Sequence, residues 1–193
     1  MSYQTLASRI LPACLLALLL AAPALSVPPK KVEQEGRGEL EDTGVTAALE
    51  KRLGELGFES GSESFFGAVV QGNLEAVEIF LKLGQSPNIE LDENQLMIIA
   101  ANRCEAEPLA ARTPILKALL AAGGDPDTKD ENHMVPLVWA AQFCDAEAIK
   151  ALIDAGADVN PDVKGNVSPL MAAKSANRAE IVALLKKAGA KEN

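Results

Sequence analysis

An all-α solenoid of about four helix-turn-helix units behind an N-terminal capping helix is the fold class this sequence predicts, and three observations predict it. A segment returns at a fixed interval: Lys150 to Asn160 is echoed upstream by Lys117 to Asp127 and downstream by Ala183 to Ala190, so Gly123, Gly156 and Gly189 are evenly spaced. A degenerate copy runs from Glu78 to Asn88, its Gly84 set back from Gly123 by slightly more than one such interval. Such a period marks units that bury their apolar faces only against their neighbours. Within a period, two apolar runs at helical spacing flank a short break. Alanine is abundant and aromatic residues are scarce, which suits thin, closely stacked helices better than an enzyme pocket.

Residues 1–26 read as an export signal and stand apart from the fold. Arg9 precedes an apolar run from Ile10 to Ala22, too short to span a bilayer comfortably, and small residues place cleavage after Ala24 or Ser26. Pro12 and Pro23 argue against an uncleaved anchor, and most of the apolar run follows Cys14, which argues against a lipoprotein cysteine. The signal carries one basic and no acidic residue, so its removal takes the formal charge from −9 to −10. The remaining chain, about 167 residues, is one domain by size. Its acidity opposes nucleic acid and anionic membrane as partners and tolerates a basic protein.

Residues 27–42, rich in Pro, Gly and Glu, read as a flexible linker ahead of a repeat domain at 43–193. Val45, Leu49, Leu53 and Leu56 fall at helical spacing, with Gly57 as the stop, and this helix is expected to cover the open end of the stack. The units fall at about 60–91, 92–129, 130–162 and 163–193. The third shows the scheme best. Pro136 opens its first helix, where a missing N–H costs little, and Ala140 and Ala141 make a small face. After a break near Cys144 and Asp145 a second helix runs to Ala155, and Gly156 supplies the left-handed exit. Asp158, Asn160 and Pro161 carry the turn into the next unit.

These residues resemble the ankyrin repeat. A Pro-Leu helix start, paired alanines, a second helix and a Gly-Ala-Asp-Val-Asn exit are matched best by Val135 to Asn160, then by Ser168 to Ala190. Ile98 to Asp127 is a looser match, and Phe65 to Asn88 resembles an N-terminal repeat. The chain departs from the family pattern at Val138 and Met171, which replace the usual helix-start His, and at Cys144 and Asn177, which replace the Gly before the second helix. The second unit also carries a net six-residue excess around 105–111, after which Thr113 and Pro114 read as cap and first turn. That excess is either a contact loop or a tolerated surface loop.

Catalytic chemistry finds little support. His133, the single histidine, lies in a turn, and the stretch 57–61 has the wrong spacing for a nucleophile elbow. The acidic stretch 125–131 is rejected as a calcium loop, because Lys129 stands at a ligand position and Asp130 where Gly is needed. Trp139 is expected to pack between units. Cys104 and Cys144 occupy nearly equivalent places in adjacent units. Stacked helices sit about 10 Å apart and a disulfide needs Cα atoms within about 7 Å, so a disulfide and two free thiols both stay open, the loop after Cys104 offering a way to close the gap.

The resemblance implies partner contacts along turn tips and exposed first-helix ends lining a concave face. In this sequence those positions are Glu131, Asn132 and Met134 on one turn and Lys164 and Val167 on the next. At first-helix ends they are Asn102 and Arg103, then Gln142 and Phe143. Phe143 and Met134 are apolar where solvated positions are expected. The expectation is a monomeric, non-catalytic protein-protein interaction module with no cofactor or metal, acting in a bacterial periplasm as an inhibitor or immunity-like partner of a basic protein. An extracellular location or an anchor by uncleaved signal is the alternative address. A structural or stress-protective envelope protein without one defined target is the alternative role.

Overall fold

A computed structural model describes residues 43–91, 94–102, 112–165 and 167–192. All of them lie in one compact unit, Gly36–Asn193. The expected signal and linker, the 105–111 excess, Arg103 and Cys104 lie outside the described residues.

Among the described residues, four helix pairs follow a leading helix. Helix α1 (Thr43–Glu55) precedes α2 (Ser62–Gln71) and α3 (Leu74–Lys82); α4 (Leu96–Ala101) and α5 (Arg112–Ala121) form the second pair. The third is α6 (Pro136–Phe143) with α7 (Ala146–Asp154), and the fourth α8 (Pro169–Ser175) with α9 (Ala179–Lys187). A two-residue ladder, β1 (Glu90–Leu91) with β2 (Asn94–Gln95), pairs antiparallel in the turn between the first two units, a small addition to the expected all-helical chain.

First helices pack on first helices, α2 on α4, α4 on α6 and α6 on α8, while second helices form a parallel layer from α3 through α5 and α7 to α9. The alanine pairs explain the close approach in the first layer. Ala100, Ala101, Ala140 and Ala141 are fully buried, and without side chains beyond Cβ they let backbones come near. Larger apolar side chains, Leu116, Leu119, Ile149 and Leu152, fill the space between the layers.

Local sequence sets each helix boundary. Asn73, Asp145 and Ser168 cap α3, α7 and α8 by accepting the backbone N–H of Ala76, Ala148 and Met171. Prolines open α6 and α8. Every second helix leaves through a left-handed glycine, Gly84, Gly123, Gly156 or Gly189, and the next N–H reaches back to the helix, as Ala157 does to the Leu152 carbonyl at 3.0 Å. Between α8 and α9 the same left-handed turn is made by Asn177 at φ 57°, the conformation that Asn tolerates best after Gly. Between α6 and α7 it is absent: Cys144 is extended and buried.

Two sequence expectations need correcting. Val45 is half exposed, so α1 docks through Leu53 with Leu49 and Leu56 beside it, not through all four apolar residues. Thr113 is no cap. Helix α5 already includes Arg112, and Thr113 sits buried in its first turn, its hydroxyl donating to Asp145 of the next unit at 3.2 Å.

Helix α1 covers the stack by packing on α3. Phe58 follows it and meets Phe80 edge-on at 6.3 Å, while Phe80 stacks on Phe65 at 5.1 Å. Arg52 grips the Glu75 carboxylate with both prongs, Nε to Oε1 at 2.7 Å and Nη2 to Oε2 at 3.2 Å. That hydrogen-bonded cation holds the Glu75 carboxyl below its ordinary value. At the other end Glu192 accepts from Lys186 and Lys174, which lower its carboxyl in the same way. Lys174 is exposed where the third unit has buried Ala141, so the fourth unit presents a polar outer face.

Candidate interaction face

Each turn between units is built by side chains that hold backbone. Ser86, Asp125 and Asp158 each accept the N–H of the residue two places on. Those second residues, Asn88, Asp127 and Asn160, reach across to the following unit. Asn88 donates to the Gly123 carbonyl at 3.0 Å and accepts from the Asp125 N–H at 2.7 Å. Asn160 does the same with the Gly189 carbonyl at 3.1 Å and the Lys191 N–H at 2.8 Å. Asp127 accepts from the Asp158 N–H at 2.9 Å, but a carboxylate has no N–H to give the Gly156 carbonyl.

A second set of contacts joins the C-terminal ends of the first helices. Buried Arg112 donates to the Ile99 carbonyl of its own unit and to Val70 of the preceding one, the latter at 3.1 Å. Arg178, at the same distance before its exit glycine, donates to Gln142 at 3.2 Å. Guanidinium charge at a helix C-terminus also meets the negative end of the helix dipole. The middle junction differs again, because there Cys144 Sγ lies 3.0 Å from the Ala101 carbonyl. Cys144 is disulfide-bonded, so it has no S–H to donate and this is a sulfur–carbonyl contact. Its partner sulfur lies outside the described residues.

The turn leading into the third unit is the most closely organised polar feature of this face. Asp130 Oδ1 accepts the N–H groups of Asn132 and Met134, both at 2.9 Å, and its backbone N–H donates to the Met134 carbonyl at 3.1 Å. His133 closes the loop at φ 59°, exposed as its turn position implied, in a conformation an L residue seldom takes. Asp130 Oδ2 accepts the Trp139 indole N–H at 3.2 Å, tying the turn to helix α6. One turn along α6, Phe143 stacks on Trp139 with centroids 6.1 Å apart and planes 16° from parallel.

The structure therefore brings Met134 and Phe143 into relation through Asp130 and Trp139. Trp139 is half-buried and packs against the core. Glu131 and Asn132 are exposed at the turn tip, Met134 and Gln142 half-buried below it. Lys164 is exposed and Val167 half-buried in the following turn, and Asn102, just past the end of α4, stands at the register position that Gln142 holds on α6. Sequence reasoning missed Asp130 as an organiser and Arg112 as a clamp. A lone acidic residue nine positions before a tryptophan is a faint signal, whereas Arg112 and Arg178 stand at the same distance before their exit glycines, a recurrence that marks the clamp.

The turns are also where the charge collects. Segments 88–95, 125–134 and 158–168 hold nine acidic and two basic residues, net −7 of the chain's −9. Among the described residues, no group of three or more His, Cys, Asp or Glu is placed to hold a metal ion. No described helix is long and apolar enough to cross a membrane.

Paired helices, left-handed exit glycines and bridging turn residues recur in one register, and the family pattern for three copies of the ankyrin repeat matches residues 108–193. These residues are similar to ankyrin repeats. The pair α2 and α3 lies before the matched stretch and is built in the same way, with Gly84 and Asn88 in the exit and bridging places. No curated protein matches the chain. Ankyrin repeats point to a protein-protein interaction module and are typically non-catalytic, so the chemistry to explain is recognition of a protein partner.

Proposed function

We propose that this protein is exported and binds a basic partner protein in the cell envelope through the turn tips and first helices, the concave side of an ankyrin stack, as an inhibitor or immunity-like partner. The observation that carries the reading is the pairing of a net −7 on the turns with the half-buried Trp139 and Phe143 beside them. Charge on an interface rim steers a cationic partner and raises its association rate, while aromatic anchors beneath supply most of the affinity. The disulfide at Cys144 supports the export reading, since disulfides persist in oxidising compartments and are rare in reducing ones. We assign Cys104 as its partner, the residue in the equivalent place one unit earlier.

The test is affinity capture from an envelope fraction with the signal-free chain as bait. A Glu131→Arg, Asn132→Arg variant serves as control, because both residues are exposed and the change reverses the tip's charge without touching the core. One dominant basic protein, retained by the native chain and lost with the variant, is the expected result. Equal recovery from both contradicts the assignment of this face.

A further inference from the structure

The environment of Trp139 specifies more than an apolar anchor. Its indole N–H is held by a carboxylate oxygen of Asp130 at 3.2 Å, and a negative charge at the N–H pushes electron density onto the ring faces. Phe143 stacks on Trp139, nearly parallel with centroids 6.1 Å apart, and that separation offsets the rings so that neither fully covers the other. Glu131, exposed at the tip of the turn that Asp130 organises, adds a second carboxylate beside it. An electron-rich aromatic pair with carboxylates on the adjoining turn is complementary to a flat cation. Guanidinium fits this description better than ammonium, because it is planar, stacks on aromatic faces and gives up its hydration more easily.

Resting on the binding face assigned above, we propose that the Trp139–Phe143 pair, with Asp130 and Glu131 on the adjoining turn, takes an arginine side chain of the partner protein. The guanidinium stacks on the rings and directs its N–H groups toward the carboxylates. Trp139 is the chain's single tryptophan, so it reports on its own occupancy.

The experiment is a tryptophan-emission titration of the full signal-free chain with two capped Gly-Ser peptides that differ only in carrying arginine or lysine. The proposal expects a saturable emission change and about fivefold tighter binding of the arginine peptide. Phe143→Leu keeps an apolar side chain in a half-buried place but removes a ring, and is expected to bring the two peptides to the same affinity. Glu131→Gln is expected to weaken both. Equal affinities for arginine and lysine in the native chain overturn the proposal, since net charge alone then accounts for binding. Loss of self-association in Phe143→Leu, read by sedimentation, also overturns it by making a second copy the occupant. Repeating the capture with Phe143→Leu separates the two readings. A partner kept by Phe143→Leu but lost with the Glu131→Arg, Asn132→Arg variant sinks the arginine site and leaves the binding face standing.

Discussion

The junction between the second and third units and the two junctions flanking it perform the same task with different chemistry. On either side, an asparagine bridges with two hydrogen bonds, Asn88 to Gly123 and Asp125 and Asn160 to Gly189 and Lys191. On either side an arginine ties the first-helix ends, Arg112 to Val70 and Arg178 to Gln142. The middle junction has Asp127 for the asparagine and the disulfide-bonded Cys144 in the clamping role. The Thr113 hydroxyl on Asp145 and the exposed Lys117–Glu147 ion pair add polar ties there. Nearest-neighbour stacking needs each junction closed but leaves the means open. The middle one sets a carboxylate and a sulfur–carbonyl contact where its neighbours have an amide and a guanidinium, and the organised turn of the candidate face follows directly on it.

The largest test of this contrast is reduction. Breaking the Cys144 disulfide is expected to lower stability by about 2–4 kcal/mol, read by urea unfolding with and without reductant, while the clamps at the flanking junctions stay unaffected. Arg112→Met comes next. It fills similar space but strips two helix-end carbonyls of a charged donor, and is expected to cost about 3 kcal/mol in the same assay. Arg178→Met, which removes the bond to Gln142 from a less buried site, is expected to cost less than Arg112→Met.

A smaller effect of opposite sign is expected from Asp127→Asn. An amide keeps the bond from Asp158 and adds a donor for Gly156, making the middle junction like its neighbours. A gain of about 1 kcal/mol in thermal or urea unfolding checks it. No gain would show that the carboxylate is tolerated there without cost.

The least effect belongs to the end of the stack. The Glu75 carboxyl is held below its ordinary 4.5 by Arg52, so the tie from α1 to α3 is fully present above that value and lost as pH falls through the lower folded value. Hydrogen exchange in α1 is expected to accelerate relative to α7 when pH drops from 6 to 3, after correction for intrinsic rates. Glu75→Gln is expected to abolish most of that difference.

The fold was legible because its instructions are local and repeated. Gly156 with Asp158 and Asn160, Pro136 at a helix start, and the pair Ala140 and Ala141 each act within a short stretch of chain, and their recurrence at the even spacing of Gly123, Gly156 and Gly189 reveals the stack. The candidate face was legible in outline, since Glu131, Asn132, Met134 and Phe143 follow from the register. What the sequence concealed is tertiary. The bond from Trp139 to Asp130 depends on how the turn folds back over α6. Arg112 does recur in register as Arg178, but its reach to Val70 spans 42 residues, and which carbonyls it meets follows only from the stacking of the helices.

The central claim is that partner binding centres on the turn and first helix of the third unit. Hydrogen exchange of the signal-free chain, alone and with the captured partner, tests it most directly. The account predicts new protection across 130–143 with little change in α7, on the opposite layer. Protection concentrated in α7 and α9, with 130–143 unchanged, would contradict it.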